Sequence, residues 1–236
     1  MRVAITIAYD GTNYLGSQTQ EETSNTVFGQ VNKVLGKLGI DSKTVPSGRT
    51  DKGVHASGQV FHTDLPSFWS DLEKLKSILN DMLPSSVQVK AVNAVERNFH
   101  ARYSAKKRVY RYVIKQSPSN PFQSDYVTFL NSLDFESLRK NVKLFIGEHD
   151  FKYFMKTGSD VNSTSRVIYK AFAYEYKDCV ILNFEANGFL RSQIRLMVGA
   201  LLNLDEERIL EKLSGANNHN VKPAPPNGLY LAKIKY

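Results

Sequence analysis

At 236 residues, 42% hydrophobic and 23% charged, the chain has the make-up of an ordinary globular protein of one or two domains, which excludes wholesale disorder. Thirty-one Lys and Arg against 23 Asp and Glu leave a net charge of +8, a balance that favours polyanionic partners because each phosphate contact releases counterions. The single cysteine, Cys179, excludes an internal disulfide, and no apolar run approaches the roughly 18 residues of a membrane span.

The opening "MRVAITIAYDG" lacks the apolar run and cleavage site of a signal peptide, so a soluble, cytoplasmic protein is expected. Its "VAITIAY" alternates with period two and stops at Asp10-Gly11, a strand and a turn. Val27, Val31, Val34 and Leu38 recur at helical spacing and end at Gly39. "SGQVFHT" reads as a second strand. Leu72, Leu75, Leu79 and Met82 stripe a second helix, stopped by Pro84. "VQVKAV" and "RVYRYVI" are further strands.

Residues 116–126, "QSPSNPFQSDY", carry two prolines and form the best linker in the chain, dividing it into halves 1–115 and 116–236. Asp134 then caps a helix bearing Phe135, Leu138, Val142 and Phe145. "RVIYKAFAYEY" and "CVILNFEA", split by Lys177-Asp178, read as an antiparallel hairpin. "FLRSQIRLMVGALLNL" is a strongly apolar helix, followed by a short helix near 205–213 and a terminal strand, "GLYLAKIKY". The pattern is α+β, with a sheet and two helices in each half.

Chemistry concentrates first in "SGRTDKGVHASGQ", residues 47–59. Gly48 and Gly53 have the spacing of a phosphate-binding loop, but Val54-His55 stands where Lys-Ser/Thr is required. A metal site on Asp51, His55 and His62 lacks an acidic or cysteine cluster to complete it. Asp51 is then either a turn residue with solvated neighbours or a functional carboxylate. Glycine on both sides of it lets backbone approach a ligand closely, and Arg49 and Lys52 are cations beside it.

The second concentration is "NFHARYSAKKRVYRYVI", residues 98–114, where Arg102, Lys106, Lys107, Arg108 and Arg111 interleave with Phe99, Tyr103, Tyr110 and Tyr112. Cations for phosphate and aromatic faces for unstacked bases suit RNA; an amphipathic strand with core tyrosines is the plainer alternative. In "NGFLRSQIRLMVGALL", Arg191 and Arg195 are four apart beside an apolar stripe. Either they run their stems along that stripe or Arg195 pairs with a distant carboxylate, which its planar fork suits.

Seven segments in order, "YDGTNYLGSQTQ", "GRTDKGVHASGQV", "LNDMLP", "FHARYSAKKRVYRYVI", "GEHDF", "NGFLRSQIRLMVGALL" and "APPNGLYL", together strongly resemble the TruA-type tRNA pseudouridine synthases. The resemblance spans essentially the whole chain. It implies two similar α+β halves whose mainly antiparallel sheets join into one continuous sheet, with helices on one side and a central basic cleft. It further implies isomerisation of uridine to pseudouridine at positions 38–40 of the tRNA anticodon arm, by a homodimer, without cofactor or metal. By that resemblance Asp51 is the nucleophile, Arg195 its partner, Tyr110 the stacking floor for the base and Arg49 a hold on the flipped nucleotide. The chain departs from the family at Ser17, where an aromatic residue is common in a segment that helps contact RNA.

Overall fold

Strand β1, Arg2–Tyr9, buries Val3, Ile5, Ile7 and Tyr9 in strict alternation, as its period-two pattern predicts. It is the centre of the first of two units, Met1–Lys106 with Tyr230–Tyr236; the second is Lys107–Leu229. The computed structural model describes residues 1–156, 158 and 161–236.

In the first unit β1 pairs antiparallel with β3, His55–Asp64, and with β4, Val87–Ala94. A two-residue strand β2, Val45–Pro46, lies against β3, and the terminal strand β10, Leu229–Lys235, pairs with β3 in parallel, Tyr230 facing His55. Helix α1, Val27–Lys37, starts at Thr26, whose side chain accepts from Gly29 N–H at 3.0 Å. It buries Val27, Phe28, Val31, Val34 and Leu35, and Phe28 meets Phe61 of β3 edge to face at 5.4 Å. Helix α2, Leu72–Met82, is capped by Asp71 and buries Leu75 and Leu79.

In the second unit β5, Lys107–Gln116, pairs antiparallel with β9, Cys179–Ala186, and β9 with β8, Ser165–Tyr176. The outer strand β7, Gly147–Asp150, adds to β8, and β6, Thr128–Leu130, runs parallel to β5. Lys177 at φ 54° turns the expected hairpin. Helix α3, Phe135–Asn141, is capped by Asp134; α4 is Gln193–Asn203; α5, Glu206–Ser214, ends at Gly215 in the left-handed region. Among the described residues no helix is long and apolar enough to cross a membrane.

The longer elements are those the periodicity predicts; the short strands β2, β6 and β7 carry no such signal, and four further details differ. The division between units falls before β5 rather than within residues 115–130, because β5 is bonded along its length to β9. The last strand joins the first unit through β3, so the two units are not consecutive in the chain. The apolar stripe through Phe145 is a short α3 followed by a 3-10 turn at Val142–Phe145. Likewise the late helix begins at Gln193, not at Phe189: Ser192 is left-handed at φ 58°, and the buried Gln193 side chain accepts from Leu190 N–H through Oε1 at 2.8 Å.

Candidate active site

The chain between β2 and β3 is an irregular loop, and it carries Asp51. Its last turn is closed by Val54 N–H donating to the Asp51 carbonyl at 3.1 Å, with Gly53 at φ 77°, a conformation that favours glycine. Asp51 is half-buried, while Arg49 and Lys52 on either side of it are exposed. A Cβ at Gly48 would meet nothing within 4 Å, so that side of the loop is open.

The histidines of this region are structural. His55 is 1% exposed, accepts from Gly11 N–H at 3.1 Å, lies 3.3 Å from Asp10 Oδ1 and stacks on Tyr230 at 4.7 Å. His62 accepts from Ala101 N–H at 3.1 Å, and burial, with Arg2 and His100 nearby, lowers its pKa. Among the described residues no three of His, Cys, Asp and Glu gather as metal ligands would.

Beneath the loop is a set of buried polar side chains that sequence reasoning missed. Ser17, 1% exposed, accepts from Thr50 N–H at 2.9 Å, and the Tyr9 and Thr50 hydroxyls are 2.8 Å apart. Gln59, fully buried, donates to the Gly48 carbonyl at 2.8 Å and accepts from the Ser47 hydroxyl at 2.5 Å. Burial pushes the Tyr9 phenol up to about 12, against the opposing pull of bonds from Thr50, Ser17 and Gln59. Ser17 thus points into the protein, bonded to the loop that carries Asp51.

In the second unit Tyr110 lies on β5, 9% exposed, its ring edge-to-face with Phe189 at 5.3 Å and 83°. Tyr112, two residues on, is wholly core: its hydroxyl meets Thr128 Oγ1 at 2.7 Å and donates to the Pro225 carbonyl at 2.9 Å. Burial raises its phenol to about 12. The expected cations on this stretch divide into two kinds. Lys107 is paired at 3.1 Å with Glu185, a carboxylate 4% exposed, and sits 4.5 Å over the Tyr169 ring. Arg108 donates to the Asn187 carbonyl at 2.7 Å. These two have structural work within the unit. Arg102, Lys106, Arg111 and Arg191 are exposed, and Arg102 lies 5.8 Å from the centre of the exposed Tyr103 ring.

Arg195 is on the first turn and a half of α4, half-buried. Its Nε donates to the Ala224 carbonyl at 2.7 Å, and Ala224 N–H donates back to the Arg195 carbonyl at 2.8 Å. The segment 222–225 therefore straps α4 down, and Gly199 lets it approach: a methyl there would overlap the Lys222 carbonyl. The Arg195 guanidinium is oriented by a specific backbone acceptor.

The chain is similar to known proteins along nearly its whole length. The profile of a family described as tRNA pseudouridine synthase matches residues 5–104 and 142–236. A protein of Campylobacter jejuni named tRNA pseudouridine synthase A is 38% identical over 241 residues, covering 100% of both chains. Proteins of the same name from Wolinella succinogenes and an Exiguobacterium species are each 37% identical, covering 98% and 100% of this chain and 92% and 98% of their own. With the profile matched over residues 5–104 and 142–236 and relatives 37–38% identical along the whole chain, the chain belongs to the tRNA pseudouridine synthase A family.

Proposed function

We propose that this isomerase converts uridine to pseudouridine at positions 38–40 in the anticodon arm of tRNA, with Asp51 as its nucleophile. The carrying observation is a half-buried carboxylate on a glycine-bordered loop in which Gly48 and Thr50, just before it, are tied to buried side chains. A turn aspartate in solvent has no need of that support.

Pseudouridine formation exchanges an N-glycosidic bond for a C-glycosidic one without redox change. The base must leave, rotate and reattach while it stays trapped, so the nucleotide is extruded into a pocket. The Asp51 carboxylate supplies the attack, on the ribose C1′ or on the uracil ring, or takes a proton to give a glycal; each route starts from the same oxygen pair. Tyr110, backed edge-on by Phe189, offers a face on which the detached uracil stacks. Arg195, its guanidinium aimed by Ala224, pairs with Asp51, and Arg49 holds the flipped nucleotide. Arg102, Lys106, Arg111 and Arg191 are the exposed cations available to phosphate, in line with the net charge of +8. Lys107 and Arg108 contribute less, being engaged with Glu185 and Asn187.

A homodimer is part of the proposal. Phe172, Tyr174 and Tyr176 alternate along one side of β8, with Phe172 and Tyr176 40% and 57% exposed, an apolar strip suited to a protein partner.

The experiment is pseudouridine formation on uridine-labelled tRNA transcripts by the wild-type protein and Asp51→Ala. Loss of about a thousandfold or more in the variant, with tRNA binding retained, is expected. A wild-type rate from Asp51→Ala would sink the mechanism, and modification confined to sites outside positions 38–40 would sink the site assignment.

A further inference from the structure

The Asp51 loop has no helix or ladder of its own to hold its shape, yet a reacting carboxylate must be placed to within a fraction of an ångström. What holds it can be traced outward residue by residue. The first N–H groups of a helix have no partner inside it. In α1 two of them are used to anchor the preceding segment: Val27 N–H donates to the Gly16 carbonyl at 3.3 Å and Phe28 N–H to the Ser17 carbonyl at 3.0 Å. Ser17 then faces the loop. Its N–H donates to the Thr50 carbonyl at 3.1 Å, and its hydroxyl oxygen accepts from Thr50 N–H at 2.9 Å. Both backbone groups of the residue immediately before Asp51 are thus bonded to one serine.

The approach is close enough to need glycine at position 16. Gly16 has φ 103°, and a Cβ there would lie 3.1 Å from the Thr50 carbonyl oxygen. On the other side of Arg49, Gln59 of β3 donates to the Gly48 carbonyl, while Tyr9 of β1 meets the Thr50 hydroxyl. The loop is clamped at Gly48 and Thr50 by three buried side chains drawn from a helix entry and two sheet strands. Arg49 lies between the two clamped positions and Asp51 directly after them.

We propose that Ser17 is a positioning residue for Asp51, transmitting the rigid start of α1 to the catalytic loop through Thr50, with Tyr9 and Gln59 completing the cradle. The proposal rests on Asp51 as the reacting carboxylate. Ser17 itself touches no substrate. Replacing it by alanine leaves the buried Thr50 N–H without its acceptor and frees the loop to rotate about Asp51.

The test is single-turnover pseudouridine formation at saturating enzyme, which separates the rate constant from the fraction of folded protein. For Ser17→Ala a rate about tenfold lower is expected, the worth of one buried bond lost, with amplitude and tRNA dissociation constant within about twofold of wild type. Thr50→Val keeps the side-chain shape but removes the hydroxyl that Tyr9 meets, and is expected to slow the step similarly; Thr50→Ser restores the hydroxyl and the rate. A fall in melting temperature or amplitude at unchanged rate constant would make the cradle merely structural and overturn the proposal. Should Ser17→Ala fail to fold, the Thr50→Val and Thr50→Ser pair decides: equal rates overturn it. Asp51→Asn separates the two levels. If it is inactive while Ser17→Ala and Thr50→Val turn over at the wild-type rate, only the positioning role falls; if it is fully active, the nucleophile assignment falls as well.

Discussion

The two halves of this protein hold the side chains proposed to act on the substrate by opposite means. In the first unit Asp51 is on a loop, and the loop is kept in place by buried hydroxyls and an amide: Ser17, Thr50, Tyr9 and Gln59. In the second, Tyr110 and Arg195 are on a strand and a helix whose backbones are already bonded, and apolar contacts plus one backbone strap aim them. A loop presents unpaired N–H and C=O groups that must be satisfied wherever it turns inward, so its precision is polar. A helix or strand satisfies its own backbone, so its precision comes from packing. Functional groups of the first kind are sensitive to loss of single hydrogen bonds, those of the second to volume.

The largest effect expected from breaking this contrast is at Arg195. Lysine cannot give both a guanidinium Nε to Ala224 and a planar fork to a carboxylate, so Arg195→Lys is predicted to lose about a hundredfold in kcat/KM, or about 2.7 kcal/mol. Activity within threefold of wild type would show that charge alone suffices. Tyr110→Ala is expected to lose about tenfold in the single-turnover rate, while Tyr110→Phe keeps the face and most of the rate; equal losses would contradict stacking.

Volume is tested at Gly199. An exposed helical Gly→Ala change is stabilising by about 1 kcal/mol. Here the added methyl meets the Lys222 carbonyl, and Gly199→Ala is predicted to destabilise instead by about 1–3 kcal/mol, read as a lower denaturant midpoint. A stabilised variant would mean that the strap yields freely.

The smallest effect is in alkaline solution. Tyr9, in the polar cradle, and Tyr112, on β5 in the core of the second unit, both have folded pKa values raised from 10 to about 12, chiefly by burial. A raised folded value means that their stabilising contribution is complete below pH 10 and is lost as pH rises from 10 through 12, because the unfolded chain ionises first. In an absorbance titration these two of the 12 tyrosines are expected to ionise last, together with unfolding. Their ionisation near pH 10 with the fold intact would show that both sites are wet.

Much of this was legible from residue order. Alternation in "VAITIAY", the helical stripe of Val27, Val31 and Val34, the cap at Asp134 and the turn at Lys177-Asp178 report local geometry, which depends on neighbours a few residues away. Asp51 stood out because glycines and cations surround it, although the pattern by itself equally describes a solvated turn. Lys107 and Arg108 looked like phosphate contacts, and only their pairing with Glu185 and Asn187, 78 and 79 residues away, gives them structural work. Lys212 is similar. On α5 it is 2% exposed, donates to Asn218 Oδ1 at 2.7 Å and lies 5.0 Å over the Phe154 ring. Burial lowers its pKa to about 8.

The order of residues alone determined the α+β elements, the basic character and, through seven ordered segments, the family, since each depends on local pattern. Which polar side chains are buried, and to what purpose, was decided by the tertiary structure. Ser17 and Thr50 are 33 residues apart and Tyr9 and Thr50 are 41 apart, and no local spacing encodes a hydrogen bond between groups that meet only when a sheet and a helix entry close around a loop.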